Sequence, residues 1–251
     1  MPTSRVQLTQ RVALRMDEIT PDSALSGINV DGNDNNPLYA LIDGIIDDGV
    51  MELFTVAPYW RLKQQEFAGI DVAALPSKLG DHSSDGNGGA TTIATRYVIR
   101  LKVPDDFLRV AEIDCPDHFA RPVTEVFPEQ SEQGRRQHNR ILMGKESRPV
   151  GVMSHGEWTT TEDQTTTTEQ CREIDCYSVA SNVAPSAVKA TYIPKPPVIG
   201  SGSPAVTVEG ALGNEVLVPA LEWLLAARAF GARGDANRAA ICQQNAQNLL
   251  M

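Results

Sequence analysis

The chain has 251 residues, 41% of them hydrophobic, 22% charged and 6% aromatic, which suits one or two ordinary cores and excludes fibrous, membrane-spanning and wholly disordered chains. Thirty-two Asp and Glu against 22 Lys and Arg leave a formal charge of -10, the wrong sign for gripping phosphates through the overall field, although a local basic patch stays open. No apolar run approaches the roughly 20 residues of a bilayer span, and Met1-Pro2-Thr3-Ser4-Arg5 leads into charged residues instead of a signal-peptide core, which predicts a chain made and kept in a cytoplasm.

In chain order, Val6, Leu8, Val12, Met16 and Ile19 outline a first helix that ends before Thr20-Pro21, and Asp22 to Asn35 reads as a loop. The second helix is clearer. Leu38, Leu41, Ile42, Ile45, Ile46, Val50, Leu53, Phe54 and Ala57 recur at the spacing of one helical face. Asn36 suits its N-cap, Pro37 its first turn and Pro58 its end. The other face carries Asp43, Asp47, Asp48 and Glu52, which suit a partner surface, the wall of a channel for a negatively charged object, or plain solvation. Adjacent Asp47 and Asp48 diverge by about 100° around the axis, so they make a poor chelating pair.

The pattern fades from Phe67 to Thr92, where Gly80 to Gly89 has the composition of a linker. Tyr97, Ile99, Leu101 and Val103 then alternate with Val98, Arg100 and Lys102, a strand with one buried face. Pro104-Asp105-Asp106 reads as a turn into a returning strand over Phe107 to Cys115. Pro149 to Ser154, Glu173 to Val179 and Val188 to Ile193 have strand composition, and Thr159 to Thr168 between two of them reads as an extended hairpin tip or mobile loop. Gly200-Ser201-Gly202-Ser203-Pro204 is a second joint. Beyond it, Leu217, Leu221, Leu224, Leu225 and Arg228 share a helix face with Pro219 in the first turn. Gly231 and Gly234 break that helix, and Asp235 caps a last one carrying Ala239, Cys242, Ala246 and Leu249. The order predicts an α+β fold: a helical bundle of N- and C-terminal helices with an inserted small antiparallel sheet or barrel. Residues 1–66 supply the first helices, 67–92 a flexible loop, 93–199 the β-rich module and 200–251 a helical hairpin completing the bundle.

The chemistry-bearing patterns are sparse. The sequence holds no Gly-x-Ser-x-Gly elbow, Walker A loop, dinucleotide fingerprint, zincin helix or EF-hand loop, so no cofactor or catalytic constellation is predicted. Cys115, His118, Cys171 and Cys176 lack the two tight knuckles of a structural zinc site, so Cys115, Cys171, Cys176 and Cys242 are read as four thiols. His82, His118, His138 and His155 fall in polar surroundings, and a Cys176 nucleophile with His155 would require a spatial pairing that spacing does not provide. Arg135-Arg136-Gln137-His138-Asn139-Arg140 lacks interleaved aromatics and follows Glu125, Glu129 and Glu132, so it reads as a mixed-charge surface helix or turn.

Several short segments carry a resemblance. Lys102-Val103-Pro104-Asp105-Asp106-Phe107-Leu108-Arg109-Val110, Arg121-Pro122-Val123-Thr124-Glu125, Gln137-His138-Asn139, Arg148-Pro149-Val150 and the closing Ala227-Arg228-Ala229-Phe230 with Gly234-Asp235 resemble the head-to-tail connector proteins of tailed bacteriophages, most of all the ring proteins of crAss-like phages. The resemblance runs over most of the chain from Pro37 onward. It implies a virion subunit without catalytic residues that assembles in the host cytoplasm into a twelvefold ring below the portal protein. Adjacent neck or tail rings would be further partners, genomic DNA would pass through without sequence-specific binding, and no membrane is involved. An acidic lumen would keep passing DNA from sticking. A tail-completion or other neck protein is the nearest alternative, and an intracellular enzyme with a scattered site is the more distant one.

Overall fold

The computed structural model describes residues 3–19, 37–74, 96–137, 144, 147–162, 165–180, 184–200 and 204–251. The expected loop at 22–35, the Asn36 cap, the linker at 80–89, residues 138–140 and the joint at 201–203 lie outside them. The fold is mixed α+β, and the chain divides into two compact units, Met1–Lys63 with Pro194–Met251 and Gln64–Ile193.

In the first unit, α1 (Arg5–Ile19) and α2 (Pro37–Val56) lie where the apolar periodicity places them. Leu8, Val12 and Met16 of α1 are buried with Leu38, Ile42, Ile46, Val50 and Leu53 of α2, whereas Val6 of the predicted stripe is exposed. Val208–Leu212 forms the short α3. It is capped by Thr207, whose side chain accepts from the Gly210 amide, and stopped by Gly213 at φ 68°, a left-handed position that favours glycine. Next come α4 (Val218–Ala232), with proline in its first turn, and α5 (Ala236–Leu250), capped by the Asp235 carboxylate. Helices α1, α2 and α5 all pack on α4. This explains why α4 is buried all round, from Val218 and Leu221 to Ala229 and Phe230. Gly49 of α2 meets Leu225 of α4 so closely that a Cβ would strike the leucine side chain. On α5 the buried residue is Leu250 and not the expected Leu249, a step of one residue around the helix.

The second unit contains two open sheets instead of the expected single antiparallel sheet or barrel. Strands β1 (Gln65–Glu66), β2 (Ile70–Ala74), β3 (Arg96–Lys102) and β4 (Phe107–Asp114) come first. After them run β5 (Val126–Pro128), β6 (Val150–Glu162), β7 (Thr165–Ala180) and β8 (Lys189–Pro194). One sheet has the order β2-β3-β7-β6-β5 and the other β1-β8-β4. Three expectations change. Ile70–Ala74 is a strand paired with β3, inside the stretch read as a flexible loop. The strand returning after Pro104 does not pair with β3, because the turn carries the chain into the other sheet. The ladder is also not wholly antiparallel, since β5 runs parallel to β6. The register between β3 and β7 shifts at Tyr97/Val98, with the extra residue on β7, and Val98, predicted to face outward, is buried. Ile99, Leu101, Phe107, Ile113, Ile174 and Tyr192 from both sheets share one core. Phe67, Phe107 and Tyr192 pack ring against ring there, with centroids 5.0 to 6.1 Å apart.

Candidate interaction surfaces

The acidic face of α2 is answered from within the chain. Arg5 Nε donates to Asp43 Oδ1 at 2.7 Å, its Nη1 lies 3.1 Å from Asp47 Oδ1, and its Nη2 donates to the Asp43 carbonyl. At the far end Arg228 Nε donates to Glu52 Oε2 at 2.6 Å, with Asp48 Oδ2 3.8 Å from its Nη1. The four acids singled out in the sequence thus form one strip whose two arginines tie α2 to α1 and α4. Asp48 is the least engaged, with its side chain 78% exposed. A second pair of cations, Arg11 and Arg15 of α1, serves the buried Glu222 of α4 at 3.6 and 3.1 Å.

Beside β5 a groove of about 540 Å³ opens between segments distant in sequence. Arg121, Glu125 and Phe127 line one side, with Arg136, Gln137 and Arg148 completing it. Reciprocal amide–carbonyl bonds between Ile113 and Val123, at 2.9 and 2.8 Å, hold the first segment against β4. The short helix Glu132–Arg136 follows a cap in which Ser131 Oγ accepts from the Gly134 amide at 3.0 Å. Buried Gln137 accepts from the Gly144 amide at 2.8 Å, tying the chain that leads into β6 to that helix. Gly151 leaves the space that Val123 and Val126 fill. The basic segment is therefore in part the surface helix expected of it, and Arg136 pairs with Glu132 one turn back. Arg121 and Arg148 make no ion pair among the described residues.

From the other end of β6 projects a two-stranded arm. Strands β6 and β7 are paired without interruption from Val150↔Tyr177 to Glu162↔Thr165. β5 accompanies β6 only over Gly151–Met153, and β3 accompanies β7 only from Glu173 onward. Beyond those limits the ladder has no third strand among the described residues. Thr159, Thr160 and Thr161 face Thr168, Thr167 and Thr166, so the threonine-rich segment continues the ladder instead of leaving it, as β-branched side chains favour. Residues 163 and 164, at the turn, lie outside the description. At the root, the Gly156 position is covered by the Glu173 carboxylate, which Arg100 Nε approaches at 3.6 Å while making its closer contact, 3.0 Å, with Asp175. Burial pushes the Glu173 carboxyl above its ordinary range; Arg100 opposes the shift, and Asp175 and Asp71 add to it.

The remaining candidates are not assembled into a site. Cys176 is buried opposite Gly151, whereas His155 lies opposite Arg172, four residues further along β6, so the two are roughly 13 Å apart along the strand. Burial raises the pKa of all four thiols, that of Cys242 to about 11. Among the described residues no three His, Cys, Asp or Glu side chains gather to hold a metal. Nor is any helix among them long and apolar enough to cross a membrane. An apolar hollow of about 530 Å³ in the first unit is lined by Leu53, Val56, Trp60, Leu224 and Leu250, with Trp60 66% exposed. No family model, curated protein or solved structure matches this chain.

Proposed function

We propose that the protein is a structural subunit of a bacteriophage head-to-tail connector, a ring-forming virion component bound near the portal protein, through which the genome passes. In this reading the N- and C-terminal helices form a bundle carrying the β-rich unit as an insertion. The observation that carries the reading is where the connector-like segments lie. Arg121 to Glu125, Gln137 and Arg148 to Val150 line a single groove. Lys102 to Val110 spans the turn between the two sheets, and Ala227 to Asp235 spans the joint between α4 and α5. Segments that build turns, joints and one shared surface, instead of a catalytic pocket, support a part whose work is assembly.

The net charge of -10 supports the same role, because a lumen of like sign does not retain DNA. Electron microscopy and sedimentation of the purified chain, alone and with purified portal rings, test the reading. Closed rings, or stoichiometric capture on the portal, are the expected result. A chain that stays monomeric and passes portal rings without binding would overturn it.

A further inference from the structure

We propose that the acidic β6–β7 arm of one copy docks into the basic groove beside β5 of the next copy, so that subunits join head to tail. The inference rests on the ring-subunit reading and names the contact that would close the ring.

The arm carries acids but neither the lysine nor the proline that most often guards an exposed edge. Over its described residues, 157–162 and 165–170, it carries Glu157, Glu162 and Glu169, but no Lys, Arg or Pro. Natural proteins guard free strand edges with lysine and proline to prevent pairing with another chain. An isolated two-stranded ladder is also at best marginally stable in water. A long, two-stranded ladder charged only with acids therefore suits a segment that is covered by a basic surface in the assembled state.

The groove supplies the opposite charge. Arg121, Arg136 and Arg148 outnumber Glu125 along its lining, and Arg121 and Arg148 have no ion-pair partner among the described residues. Its volume of about 540 Å³ admits a few residues of the ladder.

The arm cannot use the groove of its own chain. Val150 lines the groove and Glu162 ends the same unbroken strand, twelve residues away, so the ladder holds the far end of β6 about 40 Å from it. The arm that fits this groove is therefore that of a second copy. A pair joined this way leaves one arm and one groove free, so the contact repeats until rotation closes a ring.

A charge swap tests the contact. Glu157→Lys with Glu162→Lys reverses the arm; Arg121→Glu with Arg148→Glu reverses the groove. Glu169 and Arg136 are left alone because each already pairs within the chain, with Lys102 and Glu132. Each variant alone should lose assembly by about tenfold or more at low salt. An equimolar mixture should recover alternating rings, since every reversed arm then meets a reversed groove and every native arm a native one. The chain carrying all four substitutions should assemble by itself, which separates loss of contact from loss of fold. Wild-type rings together with variants that assemble normally would overturn this contact and leave the ring reading intact. A groove variant that assembles but no longer retains duplex DNA would also overturn it, assigning the arginines to phosphates. A wild-type chain that never assembles, even on the portal, would overturn both.

Discussion

Two acidic strips in this protein have similar sequence character and opposite structural situations. On α2, Asp43, Asp47, Asp48 and Glu52 face arginines from neighbouring helices, so their charge is largely spent inside the chain. On the arm, Glu157 bonds only to Gln170 across the ladder at 2.8 Å among the described residues, and Glu169 to Lys102 at the root. The contrast separates acids that arginines of the same chain already engage from Glu157, which meets no cation among the described residues. Stability should respond to the α2 strip and assembly to the arm.

The largest effect should come from the apolar contact beneath the α2 strip. Leu225 is fully buried on α4 against Gly49 of α2, so Leu225→Ala should cost about 2–5 kcal/mol, read as a drop in the denaturant midpoint. A cost under about 1 kcal/mol would mean that charge, and not packing, holds α2 in place.

The root of the arm comes next. A methyl group at Gly156 meets the Glu173 carboxylate, so Gly156→Ala should destabilise by about 1–3 kcal/mol. Glu173 also gives the arm a pH signature. Its carboxyl titrates above the ordinary value of 4.5 in the folded state, so the folded chain keeps a proton that the unfolded chain releases. The stabilisation is fully present below about pH 4.5 and is lost as pH rises through the raised value. Glu173→Gln should flatten that decline in midpoint against pH. Asp175, shifted the same way by burial, should leave a residual slope. An unchanged profile would count against Glu173 as its source.

The strip itself should matter less. Arg5→Ala and Arg228→Ala should each cost about 0.2–1 kcal/mol, with the loss shrinking at high salt because these pairs are partly exposed. Changing Asp43, Asp47, Asp48 and Glu52 together to amides should cost somewhat more than either arginine and leave assembly unchanged. Should the amides weaken assembly while stability holds, the α2 strip would be the partner surface after all.

What the sequence discloses here follows from range. Periodicity over Leu38 to Ala57, the proline that opens α4, the break at Gly234 and the threonine-rich hairpin are local signals that the structure reproduces, whereas Gly231, read as part of that break, lies inside α4. Val98 is buried on the strand face opposite Ile99 and Leu101, and β4 leaves β3 to pair with β8, neither of which alternation can report. The α2 acids were visible, but Arg5 lies 38 residues from Asp43 and Arg228 lies 176 from Glu52. The groove was less legible still, for its arginines stand in separate segments read one at a time.

The smallest stability effect, and the sharpest test of the contrast, belongs to the arm. Glu157→Gln with Glu162→Gln removes charge from the projecting ladder without reversing it, and Gln remains compatible with the bond to Gln170. Glu157 is exposed, and substitutions at exposed positions usually fall within about 0.5 kcal/mol, so the denaturant midpoint should hardly move. Assembly should weaken only at low ionic strength, where an unscreened acid meets an arginine-lined groove most strongly, and converge with wild type as salt rises. A midpoint shift as large as that of Arg228→Ala would mean that the arm acids, like those of α2, are already engaged within their own chain, and the difference between the two strips would disappear.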